Sequence, residues 1–165
     1  MASRELLRPA AARSSDHCRG VSAGAMPWAP VDSGSWSLRV DGLVHRPFVL
    51  DWEQLTRWPV QRVRADLCCA TGRRLPGRYW EGVAVWELLR HAAPLPNAAA
   101  VEVRAVGYRR RVLLAELHAA QAVLAYRLDG EPLPPARGGP LRLVVPALAA
   151  FDSVKWVTAL EVVAA

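Results

Sequence analysis

From Val60 to Cys69 the chain alternates in character. Val63, Ala65, Leu67 and Cys69 fall on one face, and Arg62, Arg64, Asp66 and Cys68 on the other. A period of two residues is that of an extended strand with one buried and one wetted face, so this stretch has to find a sheet and a core. If the pleat holds to the end of the run, Cys69 points inward and Cys68 outward. Ala70-Thr71-Gly72-Arg73-Arg74 follows at once, which places a soft thiol beside concentrated positive charge.

Similar short runs, cut by proline and glycine, fill the rest of the chain. Trp36–Val40 alternates and ends in Asp41-Gly42, a hairpin-type turn. Phe48-Val49-Leu50 is a short strand. Asp51, with Gln54 three residues on, has the form of a capping box opening a helix from Trp52 to Arg57, stopped by Pro59. Residues 70–78, with their glycines, proline and arginines, are expected to be loop. Tyr79-Trp80-Glu81-Gly82 leads into a helix over Val83–Ala92, whose apolar residues recur at helical spacing. Val101–Ala105 and Val112-Leu113-Leu114 pair across a turn at Gly107-Tyr108-Arg109. A short helix near Ala115–Gln121 precedes a strand over Val123–Leu128. Asp129-Gly130 is a two-residue hairpin signal. Residues 134–139 are loop, Leu141–Val145 a buried strand ended by Pro146, and Val157–Val163 the last strand. Strands dominate with short helices between them, so the fold class is α+β in a single mixed-sheet domain. Residues 1–30 lack periodicity and are expected to form a flexible tail, with the domain over residues 31–165.

Composition narrows the function. In 165 residues, 52% are hydrophobic and seven are tryptophan, which suits one packed domain rather than a disordered chain. The net charge is +6, and of 21 basic residues only Lys155 is lysine. That balance suits an anionic cofactor or oxyanion substrate. No run of five basic residues and no aromatic-basic RNA pattern occurs, so no nucleic-acid partner is expected. Three cysteines, two of them adjacent, make neither a disulfide framework nor a zinc site. No apolar run is long enough for a membrane span, and no signal-peptide h-region is recognised, which gives a cytoplasmic location as the expectation.

Four blocks, taken in order, resemble the molybdopterin-binding oxidoreductase domain of the sulfite oxidase family, in its short bacterial form. They are Trp36–Val44 followed by Leu67–Arg74; Trp80-Glu81-Gly82-Val83; Leu124-Ala125-Tyr126 with Asp129–Pro134, running into Gly138–Pro146; and Ser153-Val154-Lys155-Trp156. The resemblance covers residues 36–163 and implies a molybdenum–molybdopterin (Mo-pyranopterin) cofactor with one protein cysteine as a further sulfur ligand. In the family's register that metal ligand is Cys69. A thiolate is the soft donor such a metal takes, bound in its deprotonated form. The alternative for Cys69 is a small buried apolar residue.

The resemblance also implies the other site residues. Arg74 matches an arginine that faces the substrate anion, where a guanidinium donates two parallel hydrogen bonds and keeps its charge. Tyr126 matches a tyrosine near the metal's exchangeable oxygen ligand. Arg137, Gly138, Arg142, Ser153, Val154 and Lys155 match cofactor-binding segments, with the cations set for phosphate. Each has a plainer reading: loop arginines, a core tyrosine, a simple glycine turn. Two positions depart from the family pattern. Arg73 stands where short bacterial members have an aromatic, and Ala147 where a polar residue is common. The implied activity is oxygen-atom transfer to or from a small substrate, with a separate electron-transfer partner and no C-terminal dimerisation or haem domain. The alternative is a non-catalytic member that has lost the cofactor and acts as a binding module.

Overall fold

The computed structural model describes residues 34–68, 74–146 and 153–165, with the side chains of residues 67, 68, 74 and 75 outside that description. The elements in chain order are β1 (Ser37–Gly42), β2 (Phe48–Asp51), α1 (Trp52–Thr56), β3 (Val60–Cys68), β4 (Arg74–Ala84), α2 (Val85–Ala92), β5 (Ala100–Ala105), β6 (Tyr108–Leu113), α3 (Leu114–Ala119), β7 (Val123–Leu128), β8 (Glu131–Pro132), β9 (Arg142–Val144) and β10 (Val157–Val163), with a 3-10 turn at Pro135–Arg137 before β9. One sheet runs β2-β1-β10-β5-β6, the other β3-β4-β7-β8 with β9 also on β7. β1 and β10 are parallel, while β10–β5 and β1–β2 are antiparallel, so the first sheet is mixed, as expected. No helix among the described residues is long and apolar enough to cross a membrane.

The local signals that held are those with a complete short-range mechanism. Asp51 accepts a hydrogen bond from the Gln54 amide at 2.7 Å, and the Gln54 side chain accepts from the Asp51 amide at 2.9 Å, so α1 starts where the capping box says. Asp129 and Gly130 both sit at positive φ (52° and 87°), the backbone a two-residue hairpin needs between β7 and β8.

Three expectations were displaced by pairing with distant strands. Residues 74–78, expected as loop, belong to β4, which pairs with β3 from Val60↔Val83 to Cys68↔Arg74. Pro76 and Gly77 are accommodated beside a shift in register between Ala65 and Leu67, where Gly77 takes φ 62° and its amide donates to the Asp66 carboxylate at 2.8 Å. The helix expected from Val83 begins at Val85, because Val83 and Ala84 are held by Leu124 and Val123 of β7. Ala84 caps α2 without a side-chain hydrogen bond, so no residue type marks that boundary. Asp41-Gly42 is no hairpin turn; it continues β1 alongside Glu161 and Val162 of β10. A Cβ on Gly42 would lie 2.2 Å from the Val162 carbonyl oxygen, so this glycine lets two backbones meet.

β7 is buried on both faces. Leu124 and Tyr126 join the larger core with Trp36, Leu38, Leu88, Leu117 and Leu160. Val123, Ala125 and Leu128 join a second core with Val63, Ala65, Trp80, Leu133 and Val144. Burial on both faces explains why this strand reads as a continuous apolar run rather than an alternating one. It also means that whatever sits on β7 and β9 is held between two packed layers.

Candidate cofactor and substrate site

The chain from Leu133 to Gly139 folds back on itself through hydrogen bonds from the Arg137 amide to the Pro134 carbonyl (2.8 Å), from Gly138 to Pro135 (2.9 Å) and from Gly139 to Pro134 (3.1 Å). Proline fixes φ at the start of this 3-10 turn, and Gly138 ends it at φ 105°. The carbonyls of the turn are each taken by a donor from elsewhere. The Trp156 indole donates to Pro135 at 3.0 Å, the Lys155 ammonium to Ala136 at 3.0 Å, and the Arg142 guanidinium to Arg137 at 2.8 Å. Arg142 and Lys155 are also bridged through their backbones, and the Leu143 amide donates to the Val154 carbonyl at 2.8 Å. Arg137, Gly138, Arg142, Val154 and Lys155, matched to cofactor-binding segments by sequence, therefore form one cluster. Ser153, half-exposed, adjoins it along the chain.

Arg142 is 3% exposed, and its guanidinium lies 5.4 Å from the centroid of the buried Trp80 ring. A charge buried to that extent needs several good acceptors. Gly138 serves Lys155 directly: a Cβ there would fall 2.8 Å from Lys155 Cγ, so the glycine lets the lysine stem lie along the turn. Gly139 similarly makes room for the Leu133 carbonyl. The two glycines thus permit close approach by the protein's own chain. Gly138→Ala should cost about 1–3 kcal/mol through backbone strain and the displaced lysine stem, read as a lower urea midpoint.

Tyr126 stands apart from this cluster. Arg142 pairs with Ala125 across β7–β9 and shares its face, whereas Tyr126 points to the other side, into the larger core. Its ring meets Trp52 edge-on at 5.8 Å and 74°. Burial pushes its hydroxyl above the ordinary tyrosine value; Arg127 pulls it down and Glu81 adds to the rise. A raised folded pKa favours the neutral phenol in the native state. The associated stability is therefore intact below the unfolded value of about 10 and is lost as pH rises through the folded value. Urea titrations should show a loss of stability setting in above about pH 10, and Tyr126→Phe should remove part of it.

Cys69 lies outside the described residues, as do Arg73 and Ala147. Cys69 follows directly on the last residue of β3, and Arg74 opens β4 opposite Cys68. The register shift between Ala65 and Leu67 interrupts the alternation on which the inward direction of Cys69 was reckoned. Its assignment therefore rests on the family register alone. Among the described residues, no group of three or more His, Cys, Asp or Glu side chains could cage a metal.

A phosphorylated pterin demands cations, and the donor chemistry here fits one: the Arg142 and Lys155 side chains converge on the 3-10 turn that carries Arg137. Residues 23–165 match the family described as the oxidoreductase molybdopterin binding domain. The chain belongs to that family. Molybdopterin is the cofactor the family domain binds. Similarity to individual proteins agrees. The uncharacterized oxidoreductase YuiH of Bacillus subtilis is 33% identical over 131 residues, covering 79% of this chain and 66% of YuiH. The catalytic subunit of the protein-methionine-sulfoxide reductase MsrP from Gluconobacter oxydans is 32% identical over 141 residues, covering 73% of this chain and 44% of the subunit. The crystal structure of the sulfane dehydrogenase SoxCD from Paracoccus pantotrophus superposes with a TM-score of 0.73 at 26% identity, covering 81% of this chain and 39% of that one. This chain thus spans two thirds or less of the relatives it matches.

Sequence reasoning missed three tryptophans that surround the candidate site residues. Trp80 was seen only as part of a Trp-x-Gly-Val block, yet its buried ring underlies Arg142. Trp156 was seen only as the residue after Lys155, yet its indole ties down the 3-10 turn. Trp52 carried no signal beyond its place after a helix cap, yet it covers Tyr126.

Proposed function

We propose that this domain is a molybdenum-cofactor-dependent oxidoreductase that moves an oxygen atom to or from a small substrate, either a sulfite-like oxyanion or an S- or N-oxide. The observation that carries the reading is the cationic 3-10 turn, in a chain of the molybdopterin-binding family. When bound, the cofactor supplies the two-electron redox chemistry of oxygen-atom transfer. Cys69 would add a thiolate to the metal, and Arg137, Arg142 and Lys155 would hold the cofactor's anionic end. Arg74 would bind an anionic substrate through two parallel hydrogen bonds. The Tyr126 hydroxyl, on the opposite face of β7 from the cationic cluster, would donate a hydrogen bond to the oxygen being transferred. Each turnover moves two electrons, which pass to or from a separate redox protein.

The substrate class draws support from the relatives. MsrP is named for protein-bound methionine sulfoxide and SoxCD for a sulfane, both sulfur groups. Protein purified from a host that makes molybdenum cofactor should carry about one metal per chain. It should turn over at least one of sulfite, a sulfoxide, an N-oxide or nitrate with an artificial electron carrier. A metal-free wild-type protein from that host would sink this reading and leave the non-catalytic binding module in its place.

A further inference from the structure

Tyr126 can act on a substrate only if its ring is held in one orientation, and its strand does not do that alone. The side chain points away from the sheet and meets Trp52, the first residue of α1, edge-on with ring centroids 5.8 Å apart. Trp52 in turn meets Trp36 edge-on at 5.5 Å and 85°. Trp36 is 4% exposed, and its indole donates to the Val157 carbonyl of β10 at 3.0 Å. Three rings thus run in contact from a backbone anchor in the first sheet to the tyrosine on β7 of the second.

The middle ring is the one whose position is set locally. Trp52 is half-buried, packed against the larger core without being enclosed by it. Its place is fixed by the Asp51–Gln54 capping box, which starts α1 at this residue. Edge-to-face contact is directional, because the positive edge of one ring meets the negative face of the next. An aliphatic side chain would cover part of the same surface without imposing that angle.

We propose that Trp52 is a positioning residue for the Tyr126 side chain, holding its ring between α1 and β7 so that the hydroxyl meets substrate in one orientation. The inference rests on the proposed role of Tyr126 in catalysis. It gives the short helix α1, which carries no residue of the family's motifs, a part in the reaction. A misplacement of the hydroxyl of about 1 Å would be enough to slow turnover.

The test compares Trp52→Leu, Trp52→Phe and Tyr126→Phe in cofactor-loaded enzyme, with metal content measured for each. In parallel, fluorotyrosine labelling gives one fluorine resonance for each of the three tyrosines, with Tyr126 assigned by its loss in Tyr126→Phe. Trp52→Leu should lower kcat by about tenfold, with KM changed less than about twofold. It should also shift the Tyr126 resonance toward its unfolded position while leaving those of Tyr79 and Tyr108 in place. Trp52→Phe, which keeps a ring edge against Tyr126, should restore most of both. A Tyr126→Phe enzyme slowed beside a Trp52→Leu enzyme with normal kcat and an unmoved resonance would overturn the inference and leave the role of Tyr126 standing. Normal kcat in Tyr126→Phe itself would overturn that role and the inference with it. Trp52→Leu protein with lower unfolding temperature but unmoved fluorine signal and kcat shows a packing residue only, and also counts against the proposal.

Discussion

Cys69→Ser protein made in a host that supplies molybdenum cofactor should contain far less than one molybdenum per chain, whereas Cys68→Ser should keep its metal. The exchange replaces a soft, ionisable thiolate by a hard hydroxyl that stays protonated at neutral pH. Loss of groups that merely support a metal ligand costs about 10–100-fold, so loss of the ligand itself should lower turnover by about 100-fold or more. Metal analysis and steady-state rates on the two variants side by side decide the matter. The comparison matters because the two cysteines are adjacent and only one can follow β3 into the segment before Arg74. Equal metal loss in both, or loss in Cys68→Ser alone, would reverse the assignment.

Gly82→Ala should be strongly destabilising, by about 3 kcal/mol or more, with a matching drop in the urea midpoint. A Cβ at this position would sit 1.9 Å from the Leu124 carbonyl oxygen and 2.6 Å from the Ala125 α-carbon. These are backbone atoms of β7 and cannot swing aside. The two strands also change register between Glu81 and Gly82, so the methyl group meets the sheet where its geometry has least slack. β7 carries both Tyr126 and the partner of Arg142, so the strain would reach the candidate site as well. Unchanged stability in Gly82→Ala would mean that β4 and β7 can separate there at little cost.

This glycine explains part of what the sequence resemblance was detecting. In Trp80-Glu81-Gly82-Val83, Trp80 and Val83 are fully buried and Gly82 lets two strands touch. The block is a packing signature, and none of its residues needs to meet a ligand. The same holds for Gly138-Gly139, whose lack of side chains accommodates Lys155 and Leu133. Motifs shared along a family mark where the fold is tight as readily as where chemistry occurs.

Elements with a self-contained local cause were legible in the residues alone: the capping box of α1, the positive-φ hairpin at Asp129-Gly130, the alternation from Arg62 to Asp66, and the α+β class that follows from short punctuated strands. The order of motifs also carried the family and its cofactor. Long-range contacts decided the rest. Gly42 belongs to a strand and not a turn because β10 runs beside it, and residues 74–78 are strand because β3 offers a partner. Tertiary structure likewise gathered Arg142 and Lys155 onto one 3-10 turn and placed Trp52 against Tyr126. A residue's propensities are set by its neighbours in the chain, but a strand's hydrogen bonds and a ring's contacts are made with partners far away in it. Those partners exist only once the fold has closed.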